Sequence, residues 1–137
     1  MPGDDEIRDD LAEVLERRRL TTDDARPEAV ERRRAAGART ARENLADLID
    51  EGSLVEYGGL AIAAQRARRD LDELLARTPA DGLIGGTARI NGDLFGERAA
   101  CAVLSYDYTV LAGTQGAIGH RKKDRLFELI ELSLIHI

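Results

Sequence analysis

The chain has 137 residues, of which 43% are hydrophobic, 34% charged and 4% aromatic, as expected for one soluble domain with a single core. Its formal net charge of −6 argues against a general nucleic-acid-binding protein, and no apolar run approaches the roughly 20 residues that span a membrane. The acidic N-terminus lacks the pattern of a secretion signal, and the single cysteine, Cys101, has no internal disulfide partner. We therefore expect a cytoplasmic protein. We assign no metal site.

Two helical stretches are predicted near the N-terminus. Apolar residues recur at helical spacing over residues 5–19, with acids before them and arginines after them, which favours an amphipathic helix. After a break, a second stretch carries the capping-box pair Thr40 and Glu43 and ends at Gly52. Gly37 either divides this second stretch or only weakens one long helix, and the sequence leaves both interpretations open.

An arginine cluster lies in the second stretch. Residues 32–42 contain five arginines and no acid, whereas residues 1–30 contain ten acids and five arginines. Such a cluster indicates either an anionic ligand or internal ion pairs. We favour ion pairs on a solvated helix face, because charge runs on helices usually have that role.

Strand-like segments dominate the sequence after Gly52. The predicted elements are, in order, a strand at 54–57, a brief helix at 70–75, and strands at 83–90 and 98–106. The dipeptide Asn91-Gly92 begins the connection between the last two strands and is a strong hairpin signal. The final strand is apolar without alternation, so we expect both of its faces to be covered.

A glycine loop between the last strand and a C-terminal helix is the main candidate for chemistry. Small residues at 112–119 let backbone N–H groups approach a ligand, and a helix N-terminus adds unpaired donors and partial positive charge. The spacing matches neither a Walker A loop nor a dinucleotide-binding fingerprint. Pattern alone leaves a phosphate site and a plain connector equally open. Projected on a helix, the predicted buried face is formed by Leu126, Phe127 and Ile130, with Lys122 near its border and Lys123 on its buried side.

Three blocks of the sequence resemble a known family. These blocks are residues 41–58 (ARENLADLIDEGSLVEYG), residues 77–82 (RTPADG) and residues 106–119 (YDYTVLAGTQGAIG). They are similar, in the same order, to blocks of the β-subunit type of carboxyltransferase found in biotin-dependent acyl-CoA carboxylases. The resemblance covers about residues 31–131, and residues 61–66 look most like members fused to biotin carboxylase.

The resemblance implies an α/β, crotonase-like fold of repeated ββα units, incomplete here. Residues 1–30 would then be a helical leader or linker, and residues 31–131 the N-terminal part of an acyl-CoA carboxyltransferase domain. In that family a carboxyl group passes from carboxybiotin to the α-carbon of an acyl-CoA. The implied cofactor is biotin, carried on a carrier domain and bound by the half that is missing here. The implied partners are acyl-CoA, biotin carboxylase and biotin-carrier domains or subunits, and further copies of the complete enzyme.

Six residues are carried over from the family as acyl-CoA-binding residues. They are Ala112, Gly113, Thr114 and Gly116 in the loop, and Lys122 and Arg125 as a basic pair on the following helix. More common members have Gly-Gly-Ser where this chain has Ala112-Gly113-Thr114. No catalytic residue is assigned, and we expect the fragment to be inactive alone, to expose apolar surface and to be poorly soluble.

Two other functions remain open at this point. One is a small nucleotide-phosphate-binding protein that uses the loop from Gly113 to Gly119, for which Asp107 is the nearest carboxylate in sequence that could hold Mg²⁺. The other is a non-catalytic helical interaction module in which residues 1–50 dock a partner.

The last six residues, 132–137, depart from the helical pattern. Their sequence, Leu-Ser-Leu-Ile-His-Ile, back-translates to the end of a transposase adapter used in sequencing libraries. We interpret them as a translated adapter artefact. The alternative is a genuine apolar tail that continues the helix.

Overall fold

The structure, a computed structural model, describes residues 7–133. Most of the proposed adapter tail, from residue 134 onwards, and the first six residues of the leader lie outside the described residues. The helices are α1 (Asp9–Arg19), α2 (Pro27–Ala35), α3 (Ala41–Leu48), α4 (Leu71–Arg77), α5 (Gly92–Phe95) and α6 (Ala117–Ser133), and the strands are β1 (Val55–Glu56), β2 (Leu83–Arg89) and β3 (Ala100–Tyr106).

The N-terminal helices follow their sequence signals closely. Pro27 occupies the first turn of α2, where its missing N–H costs nothing. The chain leaves α2 through Gly37, whose φ of +70° is left-handed, so this glycine divides the second stretch into two helices. The predicted capping box is present: Thr40 Oγ1 accepts from the Glu43 N–H at 3.0 Å, and Glu43 accepts from the Thr40 N–H at 2.9 Å.

The three strands form one antiparallel sheet in the order β1-β2-β3. Leu83 pairs with Tyr106 and Arg89 with Ala100, so the hairpin predicted from Asn91-Gly92 is confirmed. Its connection is longer than a tight turn. Asn91 adopts a left-handed φ of 53° and starts the short helix α5, which is followed by a 3₁₀ turn at Gly96–Ala99.

The core lies between α3 and the sheet. Its buried members are Ala41, Leu45, Ile84, Ala88, Cys101 and Val103. Ala102, between two of these core residues on β3, is buried as well. Because neighbouring residues of a strand point to opposite faces, β3 is covered on both sides there, as its apolar sequence predicts.

Helix α6 packs against β2 through a face that the sequence pattern identifies only in part. Its buried residues are Gly119, Lys122 and Leu126, whereas Phe127 is 41% exposed. The predicted buried face is therefore wrong in part. The reason is that α6 approaches β2 closely at Gly85. A Cβ added at Gly85 would lie 2.7 Å from Leu126 Cδ1, so the absent side chain of this glycine lets the helix and the strand come together. The apolar stem of Lys122 lies one turn before Leu126 on the same side of the helix.

The described part of the chain is a small α/β domain, and none of its helices is long and apolar enough to cross a membrane. A nearly buried ion pair joins the residue before α2 to the loop after β3. Arg26 Nη1 lies 3.1 Å from Asp107 Oδ2, and the two side chains are only 10% and 12% exposed. The start of α2 is thus held against the loop that follows β3.

The buried pair should contribute far more to stability than an exposed pair. Replacing Arg26 with alanine leaves the Asp107 carboxylate buried without its cation, and we expect the free energy of unfolding to fall by about 3 kcal/mol. Arg19→Ala removes an exposed pair with Glu16 and should cost far less stability than Arg26→Ala. Urea unfolding of the two variants measures the difference, and equal losses would contradict a structural role for the buried pair.

Candidate functional site

The loop after β3 contains a left-handed turn. Leu111, Ala112 and Gly113 have φ values of 46°, 55° and 74°. The turn is closed by the Gly113 N–H, which donates to Val110 O at 3.0 Å, and by the hydroxyl of Thr114, which donates to Leu111 O at 2.8 Å. Left-handed backbone costs a non-glycine residue roughly 1–2 kcal/mol. The surroundings must therefore hold Leu111 and Ala112 in place.

A second left-handed turn lies directly beside the first. It consists of Ala80, Asp81 and Gly82, with φ values of 55°, 46° and 71°, and all three residues are buried. The two turns are in contact, since a Cβ at Gly82 would lie 3.1 Å from Val110 Cγ1. Each turn ends in a glycine, and no other signal in the sequence predicts two adjacent left-handed turns.

Asp81 caps the N-terminus of α6. Its Oδ2 accepts from the Gly119 N–H at 2.7 Å, while its Oδ1 is buried and has no hydrogen-bond partner among residues 7–133. A Cβ at Gly116 would overlap this carboxylate, which explains the glycine. A negative group at a helix N-terminus is stabilising. The N-terminus of α6, which the sequence pattern suggested as a phosphate site, therefore already binds a carboxylate of the chain itself.

Lys122 connects α6 to the buried turn. Its Nζ donates to Ala80 O at 2.8 Å and also to Leu83 O. Its stem runs beneath Gly58, where a Cβ would lie 2.9 Å from Lys122 Cε. Burial lowers the pKa of Lys122 to about 8, against the opposing effect of the nearby Glu56 and Asp81 carboxylates. This ammonium is thus used to hold the turn.

The structure does not bring Lys122 and Arg125 together as one cationic surface. Lys122 points into the protein, whereas Arg125 lies in solvent with its Nη1 2.9 Å from Glu128 Oε2. Ala112 and Thr114 are exposed on the loop, with the half-buried Gly113 between them. Of the proposed residues, these three and Arg125 remain accessible to a ligand.

Asp107 has partners other than a metal ion. Its Oδ1 accepts from the N–H and the hydroxyl of Thr109, at 2.9 and 2.6 Å, and its Oδ2 faces Arg26. Within residues 7–133 no three His, Cys, Asp or Glu side chains are grouped as metal ligands. The magnesium-dependent nucleotide hypothesis needed Asp107 free, so the geometry gives it no support.

The loop also faces the arginine-rich helix α2. Arg32, Arg33, Tyr108 and Ala112 line a cavity of about 240 Å³ between them. The guanidinium of Arg33 lies over the Tyr108 ring, 4.6 Å from its centroid, within cation–π range. The arginine-rich face of α2, which the sequence predicts to be solvated, therefore lies beside the loop.

Curated relatives match most of this chain but only a small part of themselves. The chain is 35% identical over 118 residues to the biotin-dependent long-chain acyl-coenzyme A carboxylase β4 subunit of Mycobacterium tuberculosis, covering 86% of this chain and 20% of that protein. It is 31% identical over 119 residues to the propionyl-CoA carboxylase β chain of Saccharopolyspora erythraea, covering 87% and 20%. The chain thus spans 20% of the length of either relative. No protein-family model matches the chain.

Two solved structures also match most of this chain and only a small part of themselves. A single-chain, multi-domain long-chain acyl-CoA carboxylase matches with a TM-score of 0.90 and 56% identity, over 93% of this chain and 13% of that one. The hexameric transcarboxylase 12S, solved with hydrolysed methylmalonyl-CoA, matches with a TM-score of 0.69 and 25% identity, over 89% of this chain and 22% of that one.

The buried lysine should make stability depend on pH. The pKa of Lys122 is about 8 in the folded chain and about 10.4 in the unfolded chain, so between these values the unfolded state binds more protons. The free energy of unfolding should therefore rise from pH 8 towards pH 10, by at most about 1.4 kcal/mol per pH unit.

Lys122→Met, which keeps an apolar stem and removes the ammonium, should lose this rise. Urea unfolding of both proteins across the same pH range compares them directly, and tyrosine titration affects both alike. A rise of equal size in the variant would show that another group is responsible.

Proposed function

We propose that this chain, which is homologous to a segment of the carboxyltransferase β subunits of biotin-dependent acyl-CoA carboxylases, forms part of the acyl-CoA-binding half of such an enzyme. The observation that carries the proposal is the 56% identity to a single-chain long-chain acyl-CoA carboxylase at a TM-score of 0.90. The exposed small residues of the left-handed turn support it, because they let a thioester and its pantetheine arm approach the backbone.

The proposed fold of the complete domain is crotonase-like. Strands β2 and β3 followed by α6 have the order of one ββα unit, and the complete domain would repeat that unit. Carboxybiotin would bind to the part of the relatives that this chain does not match, and its role is to supply the carboxyl group. We assign no catalytic side chain to residues 7–133; their role is to bind and orient the acyl-CoA.

The proposed partners follow from the relatives. One relative is a single multi-domain chain and another is a hexamer, so we propose biotin carboxylase and biotin-carrier domains as partners and a homo-oligomer as the working form. The proposed compartment is the cytoplasm, and residues 1–30 are proposed as a helical leader.

The six proposed acyl-CoA residues divide into two roles. Ala112, Gly113, Thr114 and Arg125 are placed to contact the ligand, whereas Gly116 and Lys122 act as positioning residues. Gly116 makes room for the Asp81 carboxylate, and Lys122 fixes the buried turn against which the loop packs. The proposal therefore keeps all six residues and gives two of them an indirect role.

Ligand choice tests the proposed function on the chain itself. Calorimetric titration with CoA should show binding, and titration with ATP under the same conditions should show clearly weaker binding, because ATP lacks the pantetheine arm and the chain holds Asp107 away from a magnesium site. Binding of ATP as tight as that of CoA, or no binding of CoA, would overturn the proposal.

Enzyme kinetics test whether Arg125, the exposed cation on α6, contributes to acyl-CoA binding. In a long-chain acyl-CoA carboxylase whose homologous segment is replaced by residues 7–133, Arg125→Ala should raise the KM for acyl-CoA about fivefold, with little change in kcat. Phosphates lie far from the reacting carbon and bind the ground and transition states alike. Arg121→Ala, at another exposed position of α6, is the matched control. An unchanged KM with a strongly reduced kcat would refute this role for Arg125.

A further inference from the structure

A groove runs between α2, α4 and the left-handed turn. We define it by two cavities of about 660 and 240 Å³. Three arginines, Arg26, Arg32 and Arg77, line the larger cavity with one acid, Glu28. Arg26 is paired with Asp107 and Arg77 with Glu73, so Arg32 is the arginine of this cavity whose charge is not neutralised by an ion pair within residues 7–133. Arg32 lines both cavities, and it therefore sits at the point where they meet.

Arg32 differs from its neighbours in having no partner among residues 7–133. Every other arginine between residues 26 and 42 is engaged: Arg26 with Asp107, Arg33 with the Arg39 carbonyl and the Tyr108 ring, Arg34 with Glu43, Arg39 with Asp47, and Arg42 with Glu56. The interpretation of this cluster as internal ion pairs is thus confirmed for Arg34, Arg39 and Arg42. It fails for Arg33, which contacts a carbonyl and a ring instead, and for Arg32, whose exposed side chain lines the groove.

We propose that this groove binds the phosphates of CoA and that Arg32 is their principal cation. The inference rests on the proposed function and deepens it, because it adds a cation on α2 to Arg125, the exposed cation on α6. The first turn of α6 already holds the Asp81 carboxylate, and Lys122 is committed to two carbonyls. The groove is the nearest alternative, since Leu111 and Ala112 of the loop form part of its wall.

The chemistry of the groove suits a diphosphate. CoA carries about four negative charges at neutral pH, counting second ionisations near pH 6, and a guanidinium binds phosphate oxygens in pairs. The N-terminal turn of α2, from Pro27 to Ala29, opens into the same cavity and adds partial positive charge.

Two ligands and two variants test the inference on the chain. CoA carries the nucleotide diphosphate, and pantetheine is the part of CoA without it. Arg32→Ala should weaken CoA binding about tenfold, equivalent to about 1.4 kcal/mol, and should leave pantetheine binding unchanged. Arg34→Ala, on the same helix but outside both cavities, should change neither by more than about twofold, since exposed ion pairs contribute little.

Each alternative result has a distinct meaning. If the unmodified chain binds CoA and Arg32→Ala does not weaken it, the groove is not the phosphate site, while the proposed function stands. If Arg32→Ala weakens CoA and pantetheine equally, or lowers the melting temperature of the chain, Arg32 acts through the fold and the inference is overturned. If the unmodified chain does not bind CoA, the proposed function fails and the inference fails with it.

Discussion

The contact between the Lys122 ammonium and the carbonyls of Ala80 and Leu83 is the constraint on which the rest of the site depends. It fixes α6 to a buried turn in an unfavourable left-handed conformation, and the Asp81 carboxylate of that turn caps the same helix. The exposed left-handed turn at Leu111–Gly113 packs against this unit through Val110. The left-handed turn of this surface loop is thereby held in one shape.

The N-terminal part of the described chain contributes to the same region through charge. The ion pair between Arg26 and Asp107 lies nearly buried beside the loop, and Arg42 of α3 bridges to Glu56 with two hydrogen bonds. Most of the positive charge of α2 and the segment after it is neutralised by contacts of this kind. Arg32 has no ion pair within residues 7–133, and its exposed side chain lines the groove.

Local signals predicted most of the fold, whereas the contacts that build the site could not be predicted. The Thr40 capping box, the stop at Gly37 and the hairpin after Asn91 each depend on neighbours in sequence, and each is present in the structure. The contact of Lys122 with Ala80 joins residues 42 positions apart, and no periodicity encodes it. The predicted buried face of α6 is wrong in part for a related reason. Gly85 on β2 decides which side of the helix approaches the sheet.

Amide chemical shifts of the isotope-labelled chain, recorded during titration with CoA, report which surface receives the ligand. We expect changes confined to the loop at 109–114, to α6 around Arg125, and to α2 with its preceding residue, over residues 26–35. Amides of the α5 connection at 91–96, on which no part of the account relies, should not respond. Changes that cluster at 91–96 and spare the loop would contradict the claim that this surface receives acyl-CoA.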